Sequence, residues 1–414
     1  MDNKKNGIPK LRFPGFTGAW EQRKLVSLFS KFTDGDWIES KDQANTGIRL
    51  IQTGNIGITE FINKFGNEKW ISEETFKKLN CEEIFPGDII ISRLPDPAGR
   101  ACILPKLDTR MITAVDCTIA RTSREASAEF IVQYLSTQTY FKYVQSCLAG
   151  GTRQRISRKN LANFNVSIPT EISEQKQIGF FFKQLDTLIA LHQRKLEHLQ
   201  EQKKGLLQKM FPKNGETVPE VRFPGFTDAW EQRKLSSMTQ YKNGKGHEDK
   251  QTDSGDFELV NLNSISIDGG FKHSGKFINE SDDGILYKND LVMILSDVGH
   301  GDLLGRVALI PDDNKFILNQ RVALLRPNKT ANPEFLFFYI NSHQKYFKSQ
   351  GAGMSQLNIS KKSVETFSSL VPNIDEQKKI SLFFKQLDSL ITLHQRKLDH
   401  LELMKKGLLQ QMFV

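Results

Sequence analysis

Three stretches of the 414-residue sequence hold residues at spacings that suggest catalysis or cofactor binding. Gly270–Lys276 (GFKHSGK) has the glycine-to-lysine spacing of a phosphate-binding loop, whose backbone N–H groups cradle phosphates while the lysine neutralises them. The next residue is Phe277, where a Ser or Thr hydroxyl would have to hold the metal. The matching stretch of the first half, Phe61–Trp70 (FINKFGNEKW), lacks those glycines, so a strand-connecting turn accounts for the motif better. Asn332–Phe335 (NPEF) carries part of the NPPY/F loop with which amino-methyltransferases hold an exocyclic amine. The second proline is missing and no Gly-rich cofactor strand precedes it; Asn followed by Pro is ordinary helix-start chemistry. Gly299–Gly305 is glycine-rich without opening a helix after a dinucleotide-type strand. Cys81, Cys102, Cys117 and Cys147 form no CxxC pair and read as buried thiols of a reducing compartment, not as a metal site. No Ser/His/Asp arrangement or carboxylate pair stands out. The chain is expected to be non-catalytic, with no cofactor or metal of its own.

What remains is polar and basic loops. The loop after Asp88–Ser92 (DIIIS) carries Arg93 and Arg100, and the loop after Asp290–Leu295 (DLVMIL) carries His300 and Arg306. Further along, the first half presents Arg153, Arg155 and Arg158, and the second presents Gln356, Asn358 and Lys361; Lys242 and Lys245 complete the set. Arg, Gln and Asn are the side chains whose paired donors and acceptors match guanine and adenine edges in the major groove. A net charge of +9 favours the same polyanionic partner, because Lys and Arg gain by displacing counterions from phosphates. A solvated surface loop would explain any one of these residues, but not so easily the whole set.

The elements that must position these loops are written twice. Leu11–Leu25 (LRFPGFTGAWEQRKL) returns as Val221–Leu235 with 13 of 15 positions identical, and Glu174–Phe211 returns as Glu376–Phe413 with 28 of 38 identical. The chain reads A–x–B–A–y–B, a duplicated domain pair. Block B is helical by periodicity. Ile178, Phe182, Leu185, Ile189, His192, Leu196 and Leu199 step by alternating 4 and 3, and the seam continues through Lys203, Leu206 and Met210. The second copy repeats it as Ile380, Phe384, Leu387, Ile391, His394, Leu398 and Leu401, then Lys405, Leu408 and Met412. A helix of that length, on the order of 57 Å, needs a partner for its stripe. The other copy is the obvious one, running antiparallel about a pseudo-two-fold axis near His192 and His394. Gly205 and Gly407 are candidates to weaken the last turns. Segments x and y read as α/β modules with matching strands, among them Ile48–Gln52 with Glu258–Asn261 and Thr118–Arg121 with Val322–Leu325. Each adds a helical stretch, Ala128–Ser146 and Pro333–Ser349. In block A, Pro14-Gly15 suits a turn, and Phe13, Phe16 and Trp20 read as core anchors.

The sequence resembles the specificity (S) subunits of type I restriction–modification systems. The residues that carry the likeness are FPGFTGAWEQRKL and FPGFTDAWEQRKL, the segments ISRKNLANFNVSIP and ISKKSVETFSSLVP that each run into EQK, and the LLQKMF/LLQQMF helix ends. The resemblance implies two globular α/β (α+β) target-recognition domains, 1–171 and 212–371, separated by two long antiparallel coiled-coil helices, 172–211 and 372–414. It also implies that each recognition domain reads one half of a split double-stranded DNA site. The helices would dock two methyltransferase (M) subunits, and motor-nuclease (R) subunits would join for cleavage. S-adenosylmethionine, ATP and Mg2+ would then be used by those partners. On this reading the helices set the gap between half-sites, and four added residues would lengthen one by about 6 Å, nearly two base pairs. A stand-alone DNA-binding protein without enzyme partners is the alternative, and an enzyme with an unrecognised site a more distant one. The N-terminus has no apolar signal core and no run approaches a membrane span, so a cytoplasmic location is expected.

Overall fold

A computed structural model describes residues 7–151, 154–213, 216–279, 284–298, 301–354 and 356–414. It divides into two compact units, Met1–Arg194 with Gln395–Val414, and Lys195–His394. These are not the four consecutive segments expected from the sequence. Each unit combines one α/β module, the helix half that follows it, and the terminal half of the other long helix.

In the first unit, a four-stranded antiparallel sheet runs in the order Phe29–Asp34, Cys117–Thr122, Ile89–Ser92, Ala101–Ile103. The second unit repeats it as Thr239–Asn243, Val322–Pro327, Leu291–Ile294, Val307–Leu309. The central strands IIIS and LVMI are buried at every residue, which explains why they read as unbroken apolar runs and not as alternating ones. A second, mixed sheet lies in each unit, built on Ile48–Ile51 parallel to Met111–Thr113 and on Phe257–Val260 parallel to Phe316–Leu318. The expected strand pairs are all present. The stretch Ala128–Ser146 is two helices, Ala128–Tyr134 and Gln138–Ser146, because the Thr137 hydroxyl caps a new N-terminus by accepting from the Tyr140 N–H. Asn332 does what a helix cap does: its side chain accepts from the Phe335 N–H at 2.8 Å, with Pro333 in the first turn.

The long helices span Ile172–Lys209 and Ile374–Met412, running through Gly205 and Gly407. Every seam position is buried or half-buried. In the first unit Ile178 and Phe182 pack with Met412 and the partly buried Leu408, Leu185 is buried, and Asp186 pairs with Lys405. In the second, Ile380 and Phe384 pack with Met210 and Leu206, and Lys203 pairs with Asp388. The start of one helix meets the end of the other in both units, so the pairing is antiparallel. Phe413 and Phe211, the aromatic ends of the two B blocks, enter the module cores beside Trp20 and Trp230.

The duplicated A segment is fastened to the duplicated helix by a fork. Arg12 donates to both carboxylate oxygens of Glu174 at 2.7 Å, and Arg222 to those of Glu376 at 2.8 Å. Both glutamates are 1% exposed or less, and the carboxylate hydrogen bond holds each guanidinium above its ordinary pKa. The neighbouring Gln175 accepts from the Ser127 N–H at 3.0 Å and donates to the Pro169 carbonyl, and Gln377 does the same with Asn332 and Pro372. Gly15 and Gly225 turn the chain at φ of 95° and 91°. Trp20 and Trp230 are core residues, as expected, while Phe13 and Phe16 are half-buried. Among the described residues, no helix is long and apolar enough to cross a membrane.

Candidate nucleic-acid interface

At the exposed end of the four-stranded sheet of the first unit, three arginines face two aspartates. Asp34 ends its strand and accepts from the Thr118 hydroxyl at 3.1 Å. Its carboxylate lies 3.6 Å from the Arg93 guanidinium and 3.7 Å from that of Arg158. Asp116 lies 3.7 Å from Arg155. A hairpin closed by reciprocal backbone hydrogen bonds between Ala149 and Arg155 carries Arg155, and the Ile156 N–H ties it to the Arg93 carbonyl. Arg158 begins a short helix capped by Ser157. The side chains of Arg155 and Arg158 are about half exposed, at 59% and 46%.

The second unit builds the same corner from other side chains. Tyr241, Asn243, Ser296, Arg321, Asn358 and Lys361 line a cleft of about 300 Å³. Asn358 closes a hairpin with Ala352, and Ile359 N–H donates to the Leu295 carbonyl. The Leu295 N–H donates to Arg321 as the Arg93 N–H donates to Asp116. Asn243 pairs with Ala323 as Asp34 pairs with Thr118, and each is followed by a glycine that leaves no room for a side chain: Gly35 and Gly244. The backbone thus equates Asp34 with Asn243, Arg93 with Leu295, Asp116 with Arg321, Arg155 with Asn358, and Arg158 with Lys361. Lys361 lies 5.4 Å from the Tyr241 ring centroid and 3.6 Å from Glu365.

Six members of these corners, Asp34, Asp116, Tyr241, Asn243, Ser296 and Arg321, lie outside the set drawn from the sequence. An alignment of FTDG (32–35) with YKNG (241–244) would have pointed to Asp34 and Asn243.

Other residues of that set are held inside the fold. Arg100 spends its donors on the carbonyls of Ile56, Thr53, Leu94, Pro95 and Pro97 at 2.6–3.2 Å, so it braces a loop and has no fork left for a base. Arg93 is buried, donating to the Val115 carbonyl beside Asp34. Arg306 is half-buried, donates to the Asn341 carbonyl at 3.3 Å, and burial lowers its pKa. Gln356 donates to the Ser296 hydroxyl at the edge of the second corner. Lys242 lies on the strand leading to Asn243, and Lys245 forms a bridge with Asn319 just beyond it. Arg153 and His300 lie outside the described residues. The Gly270–Lys276 stretch wraps one of the chain's own carboxylates: Glu258 accepts from His273 at 2.7 Å and from the Gly275 N–H at 3.0 Å. It leads straight into the strand Phe277–Ile278, as a connecting turn does. Cys81, Cys102 and Cys117 are buried, and burial pushes the Cys102 and Cys117 thiols up to about 12. Among the described residues no cluster of three or more His, Cys, Asp or Glu has metal-binding geometry.

Comparison with known proteins gives a consistent answer. A family described as the type I restriction modification DNA specificity domain matches twice, over residues 18–201 and 227–403. Among curated proteins, the putative type I restriction enzyme MjaX specificity subunit of Methanocaldococcus jannaschii is 23% identical over 94% of this chain and 92% of its own length. The MjaVIII specificity subunit of the same organism is 22% identical over 64% of this chain and 65% of its own. The fold is shared with a type I restriction–modification S subunit from M. genitalium (TM-score 0.64, 15% identity, 98% of this chain and 99% of that one). A chain from a structure concerned with complex assembly and conformational transition of the type I system gives a TM-score of 0.51 at 13% identity, covering 98% and 99%.

Proposed function

The chain belongs to the type I restriction–modification DNA specificity family, and from that premise we propose that it reads an asymmetric DNA site in two parts, one half-site per unit. One observation carries this reading: the two units share a frame down to the same Arg–Glu fork, yet fill the same corner with different side chains. An identical frame attaches both units to their surroundings in the same way. Different corners then select different sequences, since base edges specify while phosphate contacts position. The exposed cations beside each corner supply the salt-dependent part of binding.

The long helices serve as the scaffold. Phe180, Leu188 and Leu191 are 45–61% exposed on the first helix, away from its seam, and Leu382, Leu390 and Leu393 are 45–56% exposed at the equivalent positions of the second. Two equal apolar stripes suit two equal partners, the methyltransferase subunits, with restriction subunits joining for cleavage. Adenine methylation with S-adenosylmethionine, and ATP- and Mg2+-dependent cleavage, are the work of those partners in the cytoplasm.

Copurification tests this directly. Recovery of methyltransferase subunits at about two per chain, together with host methylation of a two-part asymmetric site that vanishes when the chain is deleted, is the expected result. A chain recovered alone that binds a promoter, or cleaves DNA unaided, would overturn it.

A further inference from the structure

The corners differ in a way that names bases. We infer that Arg155, beside Asp116, reads a G·C pair for the first unit, and that Asn358, at the equivalent position, reads an A·T pair for the second. This rests on the proposed reading of one half-site by each unit.

Distances separate arginines that are spent from those that are available, and of the available pair, Arg155 and Arg158, Arg155 is the more exposed. Arg12 and Arg121 grip their carboxylates with two contacts of 2.7 Å each, and Arg100 is consumed by carbonyls. Arg155 lies 3.7 Å from Asp116 with 59% of its side chain exposed, so the carboxylate aims the guanidinium without saturating it. A guanidinium offers donors only, the complement of guanine O6 and N7. The adjacent Asp116 offers an acceptor, which is what the N4 amino group of the paired cytosine requires. Donor fork and acceptor together have the pattern of one G·C edge.

The second corner removes both halves of that pattern. Arg321 replaces Asp116, so the carboxylate acceptor at that position gives way to a donor-only guanidinium. Asn358 replaces Arg155 on the same hairpin. It is exposed, and among the described residues its side chain donates to the Gln356 carbonyl at 3.2 Å. A carboxamide presents one donor and one acceptor side by side, the complement of adenine N7 and N6. Met354, fully exposed on the same hairpin, supplies the apolar surface that a thymine methyl contacts.

The test uses the full chain with the subunits that copurify with it, bound to a random duplex library at fixed salt and sequenced. Arg155→Asn should convert one G·C position of one half-site to A·T, with relative enrichment changing roughly 5- to 150-fold, the span of one bidentate contact. The other half-site should be untouched, and Asn358→Arg should make the opposite change there. In the unsubstituted complex, 7-deazaguanine at the G position, which lacks N7 but keeps O6, should weaken binding by part of what Arg155→Ala costs, and should cost the Arg155→Ala variant nothing further. A variant that binds every sequence proportionately less with its consensus intact marks a phosphate contact and overturns the assignment. So does full affinity for the 7-deaza site. An unsubstituted complex that selects no two-part site overturns the half-site reading and this assignment with it.

Discussion

Phe413, one residue from the end of the chain, lies edge-on to Trp20 with ring centroids 6.2 Å apart. Phe211 and Trp230 repeat the arrangement in the other unit at 6.2 Å, with interplanar angles of 84° and 85°. Each module therefore completes its core with the tip of the helix that belongs, in sequence, to the other half. Phe413→Ala should cost the first unit about 3–5 kcal/mol. Amide exchange should show protection falling there while residues 231–371 keep theirs, and Phe211→Ala should give the reverse. Equal loss in both units from either substitution would contradict separate cores.

The Arg12–Glu174 fork is a second point of attachment, and both its members are well buried. Removing one partner leaves a buried charge uncompensated, so Arg12→Ala should destabilise by about 3 kcal/mol. Arg12→Lys keeps the charge but cannot fork, and should recover less than half. Thermal melting of both variants decides this: a lysine variant as stable as the original would show that charge alone matters there.

The frame was legible in the sequence because two periodicities dominate it. The heptad seam and the apolar strands of each module depend on burial repeated many times, and burial leaves a periodic trace. The Arg–Glu fork was legible only as repetition, since nothing in RFPGF or EQK says which residue each will meet. The corners were half legible. Arg155, Arg158, Asn358 and Lys361 follow from the polar segments that run into the short helices, but Asp34, at the end of a distant strand, and Asp116, in a distant turn, join them only through the fold. Arg93 and Arg100 had the composition of base readers, yet Arg93 is buried beside Asp34 and Arg100 gives its donors to backbone carbonyls. Composition cannot tell a donor that is free from one already used.

Asp36 makes a prediction about pH. Burial pushes its carboxyl up to about 6 from 3.8, with Lys31 opposing the shift, and the carboxylate accepts from the Glu82 N–H at 2.8 Å. A raised folded pKa means the fold prefers the protonated form. This group's contribution is therefore most favourable below pH 4, declines as pH rises from about 4 to 6, and is flat above. Asp36→Asn mimics the protonated group and keeps an acceptor for Glu82. Its melting temperature should match the original near pH 4 and exceed it at pH 7.5. A variant less stable at pH 7.5 would mean that the charged hydrogen bond outweighs desolvation.

The exposed stripes make the last prediction. Leu191 and Leu393 occupy equivalent helix positions at 58% and 45% exposure, off the seam. Substituting an exposed helix residue with a good helix former typically changes stability by no more than about 0.5 kcal/mol, so Leu191→Glu and Leu393→Glu should melt as the original does. If these leucines are the docking stripes, each charge must be desolvated against an apolar partner, and that cost falls only on assembly. The single variants should retain one methyltransferase subunit each on native mass analysis, and the double variant none, while their binding to DNA in the absence of partners stays unchanged. A double variant that still recovers two subunits per chain would move the docking surface elsewhere. One that loses DNA binding as well would show that the substitutions damage the recognition modules and not the assembly face.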